Sequence, residues 1–211
     1  VWLRAFAAGR VLYFASKQPM TDTELAEAQL ELPLLAAPRT EVFLVETAEE
    51  LEEAVETLAA AKGAFAVDAE RASGFKYSQR AYLIQVYRAG SPIYLIDPAA
   101  IAPTTDRAPF VALAEVMSTA PWILHAASQD IPCLRELGLE APALFDTELG
   151  SRIAGLDRVG LGAVTEALLG VRLAKEHSAV DWSTRPLAND WLNYAALDVD
   201  VLFDLWTAVE A

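Results

Sequence analysis

Four carboxylates and a phenol stand in three short segments of this chain: Asp68 and Glu70 in AFAVDAERASG, Asp130 in ILHAASQD, and Tyr194 with Asp198 in WLNYAALDVDVL. Each segment has the local pattern that would aim its acids at one point. Ala64 to Val67 is a short apolar run, which predicts a buried strand carrying Asp68 and Glu70. Strand side chains alternate from face to face, so those two carboxylates share one face. Tyr194 and Asp198 sit one helical turn apart in a helical stretch, which stacks them on one side. Acids grouped in this way suit hard divalent cations, which prefer oxygen ligands. Two such ions held side by side form a phosphodiesterase centre.

Composition narrows the setting. A chain of 211 residues with 54% hydrophobic content can bury one sizeable core and is not a disordered polymer. No apolar run reaches the ~18 to 20 residues needed to cross a bilayer, so the expectation is a soluble, cytoplasmic protein. The single cysteine, Cys133, permits no intrachain disulfide, and no cysteine–histidine cluster points to zinc. It falls in an apolar helical stretch, where a small core residue is the plainer reading than a nucleophile. Charge cuts the other way. Sixteen basic against thirty acidic residues give a net charge of −14, whereas a nucleic-acid binder usually carries a basic patch. Glu49, Glu50, Glu52, Glu53 and Glu56 on one solvated helix explain part of that excess.

The elements that must position the acids follow from periodicity. Residues 1 to 40 read as an N-terminal arm or remnant plus a linker, with Met20 as a natural start and Pro33 and Pro38 bracketing the linker. From Glu41 the chain alternates strand and helix. Strands are predicted over 41–46, 64–70, 81–87, 93–96, 122–125 and 143–145. Thr47-Ala-Glu-Glu50 is a capping box, and the helix after it buries Leu51, Ala54, Val55 and Leu58. Further helices are predicted over 109–118, 129–137, 161–169 and from Asn189 to the end. Three hairpin-linked strands followed by alternating helix and strand imply an α/β fold with a mixed sheet.

The three acidic segments resemble, in order, the motifs of the ribonuclease D-like branch of the DEDD 3′→5′ exonucleases, tyrosine subtype. Asp68-Ala69-Glu70 is similar to its strand-borne D-x-E, His125-Ala-Ala-Ser-Gln-Asp130 to its H-A-x-S-x-D, and Tyr194-Ala-Ala-Leu-Asp198 to its Y-A-A-x-D. Phe145-Asp146-Thr147 and Asp181-Trp-Ser-Thr-Arg-Pro-Leu187 agree as spacers. D-A-E replaces the more usual D-T-E or D-L-E and leaves both carboxylates intact. The resemblance spans about residues 40 to 210. It implies a ribonuclease H-like mixed sheet flanked by helices over residues 41–211, the chain being cut short before a helical nucleic-acid-binding domain. It also implies two divalent cations, Mg²⁺ or Mn²⁺. Asp68 would bridge both, Glu70 and Asp198 would complete the water-activating side, Asp130 would support the second ion, and Tyr194 would orient the attacking water.

The activity so implied is metal-dependent 3′→5′ exoribonuclease action on RNA with a free 3′ end, such as tRNA precursors, releasing 5′-mononucleotides. DNA is the rival substrate, and a catalytically idle module that binds RNA or a protein is the rival from another class. Secondary candidates for substrate contact are His125, Lys175 and Tyr77. For His125 a hydrogen-bonded core histidine is the plainer reading, and for Lys175 and neighbouring His177 a solvated loop is as good. Tyr77, with Phe75 and Lys76, follows motif one, where a base could stack. Gly160-Leu-Gly162 is half of a dinucleotide fingerprint with no preceding strand and carries no such function.

Overall fold

A computed structural model of the chain describes residues 2–7, 10–15, 32–72, 74–102, 106–174 and 180–211, the first two stretches by their backbone pairing. Strands β1 (Trp2–Ala7) and β2 (Arg10–Ala15) pair antiparallel as a hairpin of their own, so this part of the expected arm is built as strand. The expected start at Met20 lies outside the described residues.

The sheet that matters is six-stranded. In chain order its members are β4 (Val42–Val45), β5 (Phe65–Arg71), β6 (Ala81–Arg88), β7 (Ile93–Ile96), β8 (Trp122–Leu124) and β9 (Leu144–Asp146), and in space they run β4-β7-β6-β5-β8-β9. All pairs are parallel except those made by β6, which runs against β5 and β7. The mixed ribonuclease H-like sheet expected from the sequence is therefore present. Strand β5 lies inside it, fully paired on both edges near its start, which suits its apolar opening Phe65-Ala-Val67.

Helices cover both faces. On one, α1 (Ala48–Ala60), α3 (Val111–Met117) and α4 (Ile131–Glu136) bury Leu51, Leu58, Leu113 and Leu134 against Val67, Ile84 and Val86. The Thr47 box forms in both halves, with Thr47 Oγ1 accepting from Glu50 N and the Glu50 carboxylate accepting from Thr47 N. Between β7 and α3 come a short helix α2 (Pro98–Ile101) and a 3₁₀ turn, Ala108–Phe110. On the other face, α6 (Leu161–Leu169), α7 (Asn189–Asp200) and α8 (Leu202–Glu210) bury Val164, Ala195, Val199 and Leu205 against Ala66, Leu83 and Leu95. Helix α5 (Thr147–Ile153) packs on α8 at Gly150, where a Cβ would lie 2.7 Å from Val209 Cγ1. No helix among the described residues is long and apolar enough to cross a membrane.

Two departures from the sequence reading concern the ends. The proline-bracketed linker contains β3 (Leu34–Leu35), which pairs parallel with β10 (Arg172–Leu173). Arg39 and Thr40 then bond the buried Asp200 carboxylate, so the linker is fastened to α7. The last helix is not continuous: it breaks at Val201, and α8 sets off afresh.

The segment leading into α7 is held by one ion pair. Asp97, fully buried, caps α2 by accepting from Ala99 N and Ala100 N. Its carboxylate also meets Arg185 Nε at 2.5 Å and Nη2 at 2.7 Å. Arg185 reaches the carbonyls of Trp182, Thr184 and Tyr82 as well, tying the segment to β6. Trp182 is buried edge-on to Trp191 of α7, as packing rather than chemistry would have it. Removing one partner strands the other charge in the interior, which costs about 3–5 kcal/mol. Arg185→Met should therefore lower the urea midpoint by that equivalent, and adding Asp97→Asn to it should recover part of the loss.

Candidate active site

Three elements bring the acids together. Strand β5 carries Asp68 and Glu70 towards its end. Helix α7 crosses β5, β6 and β7 and turns Tyr194 and Asp198 toward them. Asp130 stands at the N-cap of α4, at the end of the turn that follows β8, which is the parallel neighbour of β5. One carboxylate oxygen each from Asp68, Glu70 and Asp198 lies within 4.8 Å of the others. Asp130 stands beside this trio, within side-chain hydrogen-bonding reach of Asp68. The Tyr194 hydroxyl bonds the Asp198 carboxylate. All five side chains line one cavity of about 570 Å³, whose wall also includes Arg71, Phe75, His125, Gln129 and Trp182.

The turn that delivers Asp130 is strained and clamped. Ala126 adopts φ +59°, a left-handed conformation that a residue with a Cβ rarely takes. Asp146 holds it there. Its Oδ1 accepts from Ala126 N at 3.0 Å and its Oδ2 from Ala127 N at 2.9 Å. The same carboxylate caps α5 through Glu148 N and Leu149 N. Four backbone donors thus converge on one side chain, which over-determines the strained turn. Thr147, the next residue, bonds His125 Nδ1 at 2.9 Å and the Leu124 carbonyl at 3.1 Å. His125 is therefore a hydrogen-bonded, partly buried histidine on the cavity wall, and burial lowers its pKa.

Of the other secondary candidates, Tyr77 points fully into solvent and does not line the cavity, whereas Phe75 does and is half exposed. Lys175 and His177 lie outside the described residues. Cys133 is buried, its thiol pushed up to about 12 by burial first and by Asp130 next, so it stays a neutral core residue. Sequence reasoning missed two members of the site. Arg71 directly follows D-A-E and was legible by position alone. The Asp146 clamp was visible only as part of a spacer.

Burial dominates the electrostatics, and crowding adds to it. Burial pushes the Asp68 carboxyl up to about 6, against opposing help from Ala69 N–H and Arg71. Asp130 is pushed up to about 8, by burial and then by the charge of Asp68. Glu70 and Asp198 are raised well above the usual carboxylate range, by burial first and by the neighbouring acids next. Hard oxygen donors, buried and short of compensating cations, are the donor set that divalent ions fit. The residues present therefore fit a metal centre, with Asp68, Glu70 and Asp198 in one cluster and Asp130 flanking it.

This chain belongs to a family of 3′→5′ exonucleases: the model of that family matches residues 42–211. Ribonuclease D of Haemophilus influenzae is 36% identical over 155 residues, which is 72% of this chain and 38% of that protein. A solved protein from Bifidobacterium adolescentis is 46% identical with a TM-score of 0.79, over 85% of this chain and 43% of that one. Escherichia coli RNase D, described as an exoribonuclease involved in structured RNA processing, gives 29% identity and a TM-score of 0.65, over 81% and 45%. The chain thus spans less than half the length of these relatives.

The raised carboxyl pKa values make stability depend on pH and metal. A carboxyl whose folded pKa lies above its unfolded value binds protons more tightly when folded. Its stabilising contribution is complete below about pH 4, where both states are protonated. It is lost as pH rises through the folded values, about 6 for Asp68 and about 8 for Asp130. In EDTA the melting temperature should therefore fall between about pH 4 and pH 8. Mn²⁺, if it binds only the folded state, should lift that fall in proportion to the logarithm of its concentration. Asp68→Asn should melt several degrees higher than the parent in EDTA at pH 8 and should lose most of the Mn²⁺ response. A variant that melts lower in EDTA and responds to Mn²⁺ like the parent would make Asp68 a structural carboxylate.

Proposed function

We propose that this domain is a metal-dependent 3′→5′ exoribonuclease that removes 5′-mononucleotides from the free 3′ ends of structured RNA, tRNA precursors among them. What carries the reading is the convergence of Asp68, Glu70 and Asp198 in one cluster with Asp130 and the Tyr194 hydroxyl at its edge. Family membership gives the polarity of the reaction, and the ribonuclease D relatives suggest RNA as the substrate.

Two divalent cations, Mg²⁺ or Mn²⁺, would supply charge neutralisation to the attacking and leaving oxygens of the phosphodiester. Asp68, Glu70, Asp130 and Asp198 would hold the ions, with Asp68 serving both, Glu70 and Asp198 the side on which water attacks, and Asp130 the side of the leaving 3′-oxygen. Tyr194 positions the attacking water. Burial and the neighbouring acids push its phenol above the ordinary value near 10, so in the metal-free site it remains a hydroxyl bonded to Asp198. In that state the hydroxyl can orient a water by a hydrogen bond. Phe75, half exposed on the cavity wall, offers an aromatic face on which the terminal base can stack.

The test is a ladder. With Mn²⁺ the protein should shorten 5′-labelled RNA from its 3′ end, and EDTA or a 3′-phosphate should suppress the products. Circular RNA should resist. Asp68→Ala should abolish turnover, whereas Tyr194→Phe, which removes one positioned hydroxyl, should cost about 10² to 10³ in single-turnover rate. Faster degradation of a matched DNA strand would move the substrate to DNA, and cutting of circular RNA at a comparable rate would end the exonuclease reading.

A further inference from the structure

We propose that Arg71 is the phosphate-gripping residue of this site: its guanidinium holds a non-bridging oxygen of the terminal phosphodiester and, after cleavage, the phosphate of the mononucleotide product. The proposal rests on the nuclease reading above and names the group that recognises the substrate's charge.

Position comes first. Arg71 ends β5, immediately after Glu70, at the point where the β5–β6 register slips and Tyr82 of β6 is passed over. Its side chain is about a quarter exposed and lines the cavity that holds the acids. Nη2 lies 4.0 Å from Asp130 Oδ1, an ion-pair contact too long to be a hydrogen bond.

That looseness separates Arg71 from the arginines that hold the fold. Arg185 meets Asp97 at 2.5 Å and three carbonyls besides. Arg39 meets Asp200 at 2.8 Å, and Arg88 donates to the carbonyls of Leu58 and Gly63. Each of these donates to the protein from at least two of its side-chain nitrogens. Arg71 keeps a fork of donors facing an open cavity, and a guanidinium fork matches two oxygens of a phosphate.

Charge supplies the third argument. The chain carries −14 overall, and among the described residues lining the cavity Arg71 is the only arginine or lysine. Four carboxylates and two divalent ions cancel one another. A phosphodiester then arrives with a negative charge. Arg158 lines the adjoining cavity that shares Tyr194 and Asp198, and Arg71 is the one fixed cation on the described wall of this one. Its place beside Asp130 puts that cation at the edge of the acid cluster, where it can reach the phosphate without displacing a ligand.

The experiment measures AMP and adenosine binding to the whole chain by calorimetry with Mn²⁺ present. The two probes differ only in the phosphate. The parent should prefer AMP, and Arg71→Met should cut AMP affinity about tenfold to a hundredfold, the worth of a charged hydrogen bond, with adenosine binding unchanged. Mn²⁺ affinity should hold or rise, because a nearby positive charge has gone. Should the methionine variant fail to fold, Arg71→Gln keeps length and polarity without the charge and should show the same selective loss. A folded variant with the parent's AMP preference overturns the proposal, as does one whose Mn²⁺ binding collapses, since Arg71 would then be a brace for the acids. A parent that digests RNA while its Arg71 variants bind AMP normally refutes only this assignment. A parent that neither binds Mn²⁺ nor shortens RNA refutes the nuclease reading itself.

Discussion

Burial of four neighbouring carboxyls, Asp68, Glu70, Asp130 and Asp198, is the constraint on which the rest of this structure turns. Four carboxyls share one cavity, and every one is held above the ordinary carboxylate range by burial, three of them also by one another. No fold would gather them for stability, since like charges brought out of water oppose the folded state. The surrounding architecture therefore has to impose the arrangement. Strand β5 does so by lying inside the sheet, and α7 by packing across three strands with Ala195, Ala196 and Val199 buried beneath it. The ion pair between buried Asp97 and partly exposed Arg185 fixes the segment that leads into α7.

Backbone strain follows the same logic. The left-handed Ala126 is the only non-glycine residue with positive φ among those described, and it lies four residues before Asp130. A turn this tight between β8 and α4 brings Asp130 back over the neighbouring strand. Such a conformation costs on the order of 1 kcal/mol or more and persists only where other contacts enforce it. Asp146 enforces it from β9, two strands away from β5, while also starting α5. One carboxylate outside the acid cluster thus couples the sheet edge to the geometry within it.

Much of this was legible in the sequence because it is local. The β7 and α6 bounds fall where the apolar pattern starts and stops, and the Thr47 capping box forms with both reciprocal bonds. The acids themselves were legible because alternation along β5 and the helical turn in α7 fix which side chains share a face. What stayed hidden depends on distance along the chain. Asp97 and Arg185 are 88 positions apart, and neither residue's neighbourhood names the other. The β3–β10 pair has two residues on each side, too few to show any period. The helix expected from Gln129 begins only at Ile131, because Ser128 to Asp130 are spent on the clamped turn. The break at Val201 carries no proline or glycine, so nothing local announces it.

For a protein proposed to act on a polyanion, the acidic net charge is a smaller paradox than it looks. A substantial part of the excess lies on the solvated face of α1, where Glu49, Glu52, Glu53 and Glu56 are exposed. That helix covers the face of the sheet opposite α7. Charges separated by more than about 8–10 Å of water are largely screened at ordinary ionic strength. The charge that governs binding is therefore the charge of the cleft. There the acids are a liability only while cations are absent, and Arg71 is the one fixed positive group among the described residues of its wall. Recognition that relies on bound cations and a single guanidinium, not on a broad basic surface, would favour the phosphate at the chain end, where metals and arginine act together. It would leave the rest of the strand weakly held.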